Sequence, residues 1–193
     1  MTTIIKPGAG ILFMKVGKHA QESLEDIIAR KTKEIVDEGY GMWGYGGNTC
    51  HPQTMVQPFA EDLASRQQPI ILCMQSMQSN HSAEQLRASE YSADGLNWAP
   101  IPKGINVLGS RFALVIKNLR REEHVLPLNQ TQVAVGLSRG KLGSRYISGR
   151  VDKACLEVTA EPALVNDPEK ALVQIDLVAD LVEPFAVYLR DPR

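Results

Sequence analysis

Residues 10–47, GILFMKVGKHAQESLEDIIARKTKEIVDEGYGMWGYGG, carry the clearest secondary-structure signals of the 193-residue chain. The compact apolar run at 10–17 predicts a buried strand. The segment at 42–47 predicts a second, short strand that breaks into a glycine turn. Because a helical pattern lies between these two segments, residues 10–47 predict a β-α-β unit.

The helical pattern occupies residues 20–39, where apolar residues recur at the spacing that places side chains on one face of a helix. Gly39 is a natural stop for this helix, since glycine readily adopts the left-handed conformation that ends many helices. Asp26 and Arg30 stand four residues apart and predict an ion pair on the helix surface. The residues predicted to form the apolar face are Leu24, Ile27, Ile28, Ile35 and Val36.

After residue 47 the helical signal weakens and strands prevail. Short helices are predicted at 60–66 and at 82–89, and Ser82 and Gln85 can form a capping box in the second of them. Further strands are predicted at 69–77, 111–119, 151–159, 171–181 and 184–190.

Two turn signals lie between these strands. Asp94 and Gly95 form the dipeptide favoured in tight hairpin turns. Glu183 and Pro184 separate the last two apolar segments, which indicates either an antiparallel pair of strands or a bent strand.

The elements together predict an α+β fold in which one long helix and a few short ones cover a mostly antiparallel, curved sheet or partial barrel. No repeat or linker marks a boundary, so residues 1–193 are predicted to form a single globular domain.

The composition is that of a folded protein with little overall charge. Hydrophobic residues make up 44% and charged residues 22% of the chain, and the formal net charge is -1. Binding to nucleic acid therefore requires a local basic patch.

Cys50, Cys73 and Cys155 lack CxxC spacing, which argues against a disulfide framework or a zinc knuckle. With no signal peptide and no long apolar run in the sequence, we expect a cytoplasmic protein that does not contact membranes.

The segment MWGYGGNTCHP, residues 42–52, is the first candidate site. Its glycines expose backbone N–H groups that can approach a phosphate or carbonyl closely. Its aromatic side chains can stack on a flat ligand or can simply fill the core of a strand, and the sequence leaves both alternatives open. The residues predicted to bind ligand here are Trp43, Tyr45, Gly46, Gly47, Asn48 and His51.

The second candidate site is GLSRGKLGSRYISGRVDK, residues 136–153, which concentrates basic residues among serines and glycines. Guanidinium groups, hydroxyls and open amides bind phosphate oxygens, although a solvated hairpin can have the same composition. Arg111 and Lys117 have the same strand parity and could add to a basic face. The residues predicted to bind ligand in the segment are Arg139, Lys141, Arg145, Tyr146 and Arg150.

Cys50 followed by His51 suggests an enzyme as an alternative, in which the thiolate is the nucleophile and the imidazole the base. Neighbouring side chains usually point apart, so the adjacency is weak support. No metal-binding spacing is present, and neither a metal nor a cofactor is predicted.

The leading hypothesis is a binding protein for a phosphorylated planar ligand, either a nucleotide or a nucleic-acid element, acting alone or as an accessory subunit. A Cys50-dependent transferase or hydrolase is the first alternative. A subunit that contacts only other proteins is the second.

Overall fold

The computed structural model describes residues 5–46, 49–78, 84, 86–147 and 151–193. In this part of the chain one nine-stranded sheet dominates and few helices accompany it. The strands are β1 Gly10–Val16, β2 Gly41–Tyr45, β3 Ile70–Ser76, β4 Glu90–Ser92, β5 Ala99–Pro100, β6 Phe112–Pro127, β7 Thr131–Val133, β8 Lys153–Val158 and β9 Leu172–Arg190. The α-helices are α1 Leu24–Glu38, α2 Gln57–Ser65 and α3 Gly143–Tyr146, and a π-helical turn, Pro52–Val56, precedes α2.

The sheet is mostly antiparallel, as the sequence predicts. Its main path runs β2-β6-β9-β3-β1-β8-β7, and β4 pairs with both β5 and β9. Only β1 and β3 pair in parallel among these strands. The order strand, helix, strand is present at β1, α1 and β2, but three strands separate β1 from β2 in the sheet. Helix α1 therefore connects two strands that are not neighbours.

Strands β6 and β9 are much longer than the sequence predicts. They pair from Phe112 and Tyr188 at one end to Pro127 and Leu172 at the other, with three register shifts between. The predicted break at Glu183–Pro184 lies within β9, so the last two apolar segments form one strand and not an antiparallel pair. The sequence did not predict the second half of β6, because the charged residues at 120–123 interrupt its apolar pattern. These residues do not end the pairing of β6 with β9.

Helix α1 ends as predicted, and four of the five residues predicted for its apolar face, Leu24, Ile27, Ile28 and Ile35, pack against the core. Gly39 adopts a φ of 85°, and its N–H donates to the Ile35 carbonyl at 2.9 Å. Val36, predicted to lie on the apolar face, is 78% exposed, whereas Ile27 is buried. These two residues are nine positions apart, about two and a half helical turns, so they point in opposite directions. Lys31 and Glu34 occupy the buried face with Ile27.

The predicted pair of Asp26 with Arg30 is wrong. Arg30 donates instead to Glu22, which precedes α1, and to Glu34, one turn further along the helix. The short helix predicted at 60–66 corresponds to α2. The capping box of Ser82 and Gln85 lies outside the described residues.

Three hydrophobic clusters pack against the sheet. One face carries the largest cluster, to which α1, α2 and the π-helical turn contribute. The opposite face carries two clusters, one over β1 and β8 and one formed by β2, β6 and β9 with residues 88–107. In the described part of the chain no helix is long and apolar enough to cross a membrane.

Gly10 allows α2 to pack closely on β1. A Cβ atom at this position would lie 2.2 Å from Leu63 Cδ1 and 3.0 Å from Phe59 Cζ. We expect Gly10→Ala to lower the free energy of unfolding by about 1–3 kcal/mol, because overpacking forces the core to shift. Chemical denaturation measures this change.

Gly46→Ala is the matched control, since a Cβ atom there would meet nothing within 4 Å. It should change the free energy of unfolding by no more than about 0.5 kcal/mol. If Gly10→Ala and Gly46→Ala changed the free energy of unfolding equally, the close packing of α2 on Gly10 would not limit the size of the residue at position 10.

Candidate functional site

A cavity of about 420 Å³ opens at the carboxyl ends of the parallel strands β1 and β3, which is a common position for ligand sites in sheets. Six parts of the chain line it: the end of β1 with its connection to α1, α1 itself, β2 with Gly46, Met77 after β3, residues 107–112, and the start of β8 with Asp152 before it. We call this space the β1–β2 pocket. Its lining includes Lys15, Lys18, His19, Glu22, Ile27, Arg30, Lys31, Trp43, Tyr45, Gly46, Ser110, Arg111, Phe112, Asp152 and Lys153.

The aromatic lining comes from β2, whose alternation places Trp43 and Tyr45 on the same face of the sheet. Both side chains are buried to 5% exposure or less, so each offers the pocket only a small part of its surface. The Tyr45 hydroxyl donates to the Cys50 carbonyl at 2.7 Å, and Lys153 Nζ lies 5.4 Å from the centre of the Tyr45 ring. Trp43 and Tyr45 are therefore core residues that also line the pocket.

Gly44 lets the segment before β6 approach β2. A Cβ atom at Gly44 would lie 2.5 Å from Ser110 Oγ, so any larger residue would displace this wall of the pocket. His19 holds the same wall from the other side, since its Nε2 lies 3.1 Å from the Leu108 carbonyl and 3.4 Å from Ser110 Oγ. The wall thus presents a hydroxyl and an imidazole beside the aromatic residues.

Positive charge prevails in the lining, which holds six basic residues and two acidic ones. Three of the six have acidic partners: Arg30 pairs with Glu22, Lys31 with Glu34, and Lys153 with Asp152 at 3.5 Å. The described residues provide no acidic partner for the side chains of Lys15, Lys18 and Arg111. An anionic ligand would supply one.

Lys31 anchors α1 beside the pocket. Its ammonium donates to both Glu34 oxygens at 3.1 Å and to the Asn106 carbonyl at 2.8 Å, which uses all three of its protons. Burial lowers the pKa of Lys31 from 10.5 to about 8, although the Glu34 carboxylate acts in the opposite direction. With its protons engaged, Lys31 acts as a structural cation.

Of the other predicted residues of the 42–52 segment, Gly46 lines the pocket and His51 does not. The His51 Nδ1 accepts from the Gln53 and Thr54 N–H groups at 3.2 and 3.3 Å and so caps the π-helical turn. Cys50 is buried at 1% exposure and does not line the pocket either. Gly47 and Asn48 lie outside the described residues.

The basic segment 136–153 is divided between several places. Its last two residues, Asp152 and Lys153, line the β1–β2 pocket, and Thr49 Oγ1 donates to Asp152 Oδ1 at 2.9 Å. Arg139 lines a separate cavity of about 240 Å³ beside α2. The remaining predicted residues, Lys141, Arg145 and Tyr146, do not line the β1–β2 pocket, and Arg150 lies outside the described residues.

Sequence reasoning did not place Lys18 and Arg111 in the candidate site. Lys18 lies two residues after the end of β1, and the end of a strand that leads into a helix is where ligand-binding side chains often lie. Arg111 was noted for sharing strand parity with Lys117, but the two do not share the pocket, since Lys117 is exposed further along β6. In the described part of the chain, no cluster of three or more His, Cys, Asp or Glu side chains is arranged to hold a metal ion.

Comparison of the chain with family models, with curated proteins and with solved structures gives no match.

The lowered pKa of Lys31 predicts a pH-dependent contribution to stability. Between pH 8 and 10.5 the unfolded chain holds the Lys31 proton and the folded chain does not, so stability rises with pH. We expect the difference in free energy of unfolding between the wild type and Lys31→Met to grow in favour of the wild type from pH 8 to 10. The growth approaches about 1 kcal/mol per pH unit.

Lys33→Met is the control on the same helix, because the Lys33 side chain is exposed. Its difference from the wild type should stay constant over the same pH range. A Lys31→Met difference that is also constant would contradict the lowered pKa.

Proposed function

We propose that this protein binds a phosphorylated planar ligand, a nucleotide or a nucleic-acid element, in the β1–β2 pocket. The observation that supports the proposal is the meeting of aromatic side chains with unpaired cations in one cavity. Trp43 and Tyr45 line it together with Lys18 and Arg111, which have no acidic partner among the described residues. Aromatic surface suits a base, and lysine and arginine suit phosphate oxygens.

The size of the pocket suits one nucleotide unit. Ligand cavities commonly measure about 300–1,000 Å³, and this one measures about 420 Å³. In the proposed complex the planar group lies against the exposed parts of Trp43 and Tyr45. The phosphate lies toward Lys18 and Arg111, where the Ser110 hydroxyl is an additional donor.

A nucleic-acid ligand would extend beyond the pocket, and the basic segment 136–153 offers a second contact in that case. Lys153 lies in the pocket, while Arg139 and Lys141 are exposed outside it. We propose that these outer residues contact phosphates only when the ligand is a polymer. This arrangement would also suit an accessory subunit of a nucleic-acid complex.

The proposal includes a curved sheet in a single domain. Register shifts bend paired strands, and three of them interrupt the pairing of β6 with β9. The far edge of β9 pairs first with β3 and then, nearer its end, with β4. Curvature at these points would turn β2 toward the end of β1 and so enclose the pocket.

Charge reversal at Lys18 and Arg111, two of the three pocket cations without an acidic partner among the described residues, tests the proposal. We expect Lys18→Glu and Arg111→Glu each to weaken nucleotide binding about tenfold or more, because a charge-assisted hydrogen bond contributes about 1.5–3 kcal/mol. Calorimetric titration with a panel of nucleoside monophosphates and short single-stranded oligonucleotides measures the affinities.

Lys117→Glu is the matched control, since it removes an exposed cation from β6 that does not line the pocket. It should leave the affinity for a mononucleotide unchanged. Titrations at rising salt separate the two ligand types, because binding of a polymer weakens much more steeply than binding of a mononucleotide. Absence of binding by every member of the panel at low salt would overturn the proposal and favour the protein-interaction alternative.

A further inference from the structure

Two buried thiols meet beside the pocket, from positions 105 residues apart in the chain. Cys50 follows β2, and Cys155 lies in β8. Their sulfur atoms are 3.4 Å apart, close enough for one thiol to donate to the other. Cys73, the third cysteine, belongs to the hydrophobic cluster on the opposite face of the sheet. Only one of the three possible thiol pairs is therefore in contact.

The surroundings of the pair make its two members unequal. The hydrogen bond from Cys155 and the positive charge of Lys153 lower the pKa of the Cys50 thiol, although burial opposes them. Burial raises the pKa of Cys155. The thiolate is the reactive form of cysteine, so these surroundings favour Cys50 over Cys155 as the nucleophile of the contacting pair.

We propose that Cys50 and Cys155 form a reversible disulfide when the protein meets a hydroperoxide. The proposal rests on the contact between the two sulfur atoms and on the separation of Cys73 from both. It does not depend on the ligand of the pocket.

The chemistry requires one molecule of hydrogen peroxide for each disulfide. The Cys50 thiolate attacks one peroxide oxygen, the O–O bond breaks, and the leaving hydroxide takes up the thiol proton to become water. Cys155 sulfur then attacks the Cys50 sulfenic acid, an S–S bond forms, and the sulfenic oxygen leaves as a second water with the Cys155 proton. Two thiols lose two electrons in total, and the peroxide gains them. A dithiol reagent reverses the reaction by thiol–disulfide exchange.

The disulfide would join two walls of the pocket. Cys50 is tied to the pocket through the Tyr45 hydroxyl, which donates to its carbonyl. Cys155 lies two residues from Lys153, and Asp152 already bonds to Thr49 across the same gap. A covalent bond at this point would fix the end of β2 to β8 and limit how far this side of the pocket opens.

Peptide mapping of the intact, folded protein after hydrogen peroxide treatment tests the proposal. We expect a peptide pair linked through Cys50 and Cys155, lost on reduction with dithiothreitol, while Cys73 stays alkylatable after denaturation. The oxidised protein should also unfold at a higher temperature than the reduced protein, because the bond restricts the unfolded chain. Linkage through Cys73, or retention of free Cys50 and Cys155 thiols after treatment, would overturn the proposal.

Two variants sharpen the test. Cys73→Ala removes the uninvolved thiol and should leave the linked peptide in place. Cys155→Ala removes the resolving thiol, so treatment should leave a sulfenic acid on Cys50 that dimedone traps. If Cys155→Ala does not fold, the peptide map of the wild type and of Cys73→Ala still decides the outcome. Ligand binding is measured separately by titration. If the protein binds no nucleotide, the peptide map still decides whether Cys50 and Cys155 form a disulfide.

Discussion

The pairing of β6 with β9 is the interaction on which the rest of the structure depends. The ladder joins Phe112–Pro127 to Leu172–Arg190, the second and third strands of the main sheet path. β2 attaches to the free edge of β6, and β3 attaches to the free edge of β9. The pocket residues on β1, β2 and β8 are placed by these attachments and by the strands that follow from them. The β6–β9 ladder thus fixes the position of Trp43 and Tyr45 on β2 relative to the lysines at the end of β1.

The cations of the pocket fall into two groups, one paired within the protein and one without acidic partners among the described residues. Lys31 and Arg30 lie against the protein side of α1 and share Glu34, so ion pairs and the Asn106 carbonyl offset part of their cost of burial. Lys18 and Arg111 are exposed and have no such partner among the described residues. A cation at the edge of a cavity stays hydrated until an anion replaces its water, and it is at this edge that we propose the phosphate binds.

Local signals in the sequence predicted the elements well and their arrangement poorly. The cap at Gly39, the strand at 10–17 and the mostly antiparallel sheet follow from short-range chemistry and are confirmed. Pairing of β2 with β6 is a long-range outcome, so no local pattern indicated that Arg111 would join Trp43 in one cavity. The glycine and serine content of 136–153 predicted a loop but not which of its residues reach the pocket. The prediction that Val36 lies on the buried face of α1 is wrong for a simpler reason. Apolar character alone does not determine on which side of a helix a residue lies.

The indole N–H signals of the two tryptophans provide the most direct measurement of the central claim, that the β1–β2 pocket binds a phosphorylated planar ligand. Trp43 lines the pocket, whereas Trp98 lies elsewhere with the Arg190 guanidinium 3.9 Å from the centre of its ring. Each tryptophan gives one indole signal in a nitrogen–proton correlation spectrum, and Trp98→Phe assigns them. The account predicts that a nucleoside monophosphate shifts the Trp43 signal and leaves the Trp98 signal in place. A Trp43 signal that does not move with any nucleotide, at ligand concentrations up to the millimolar range, would contradict it.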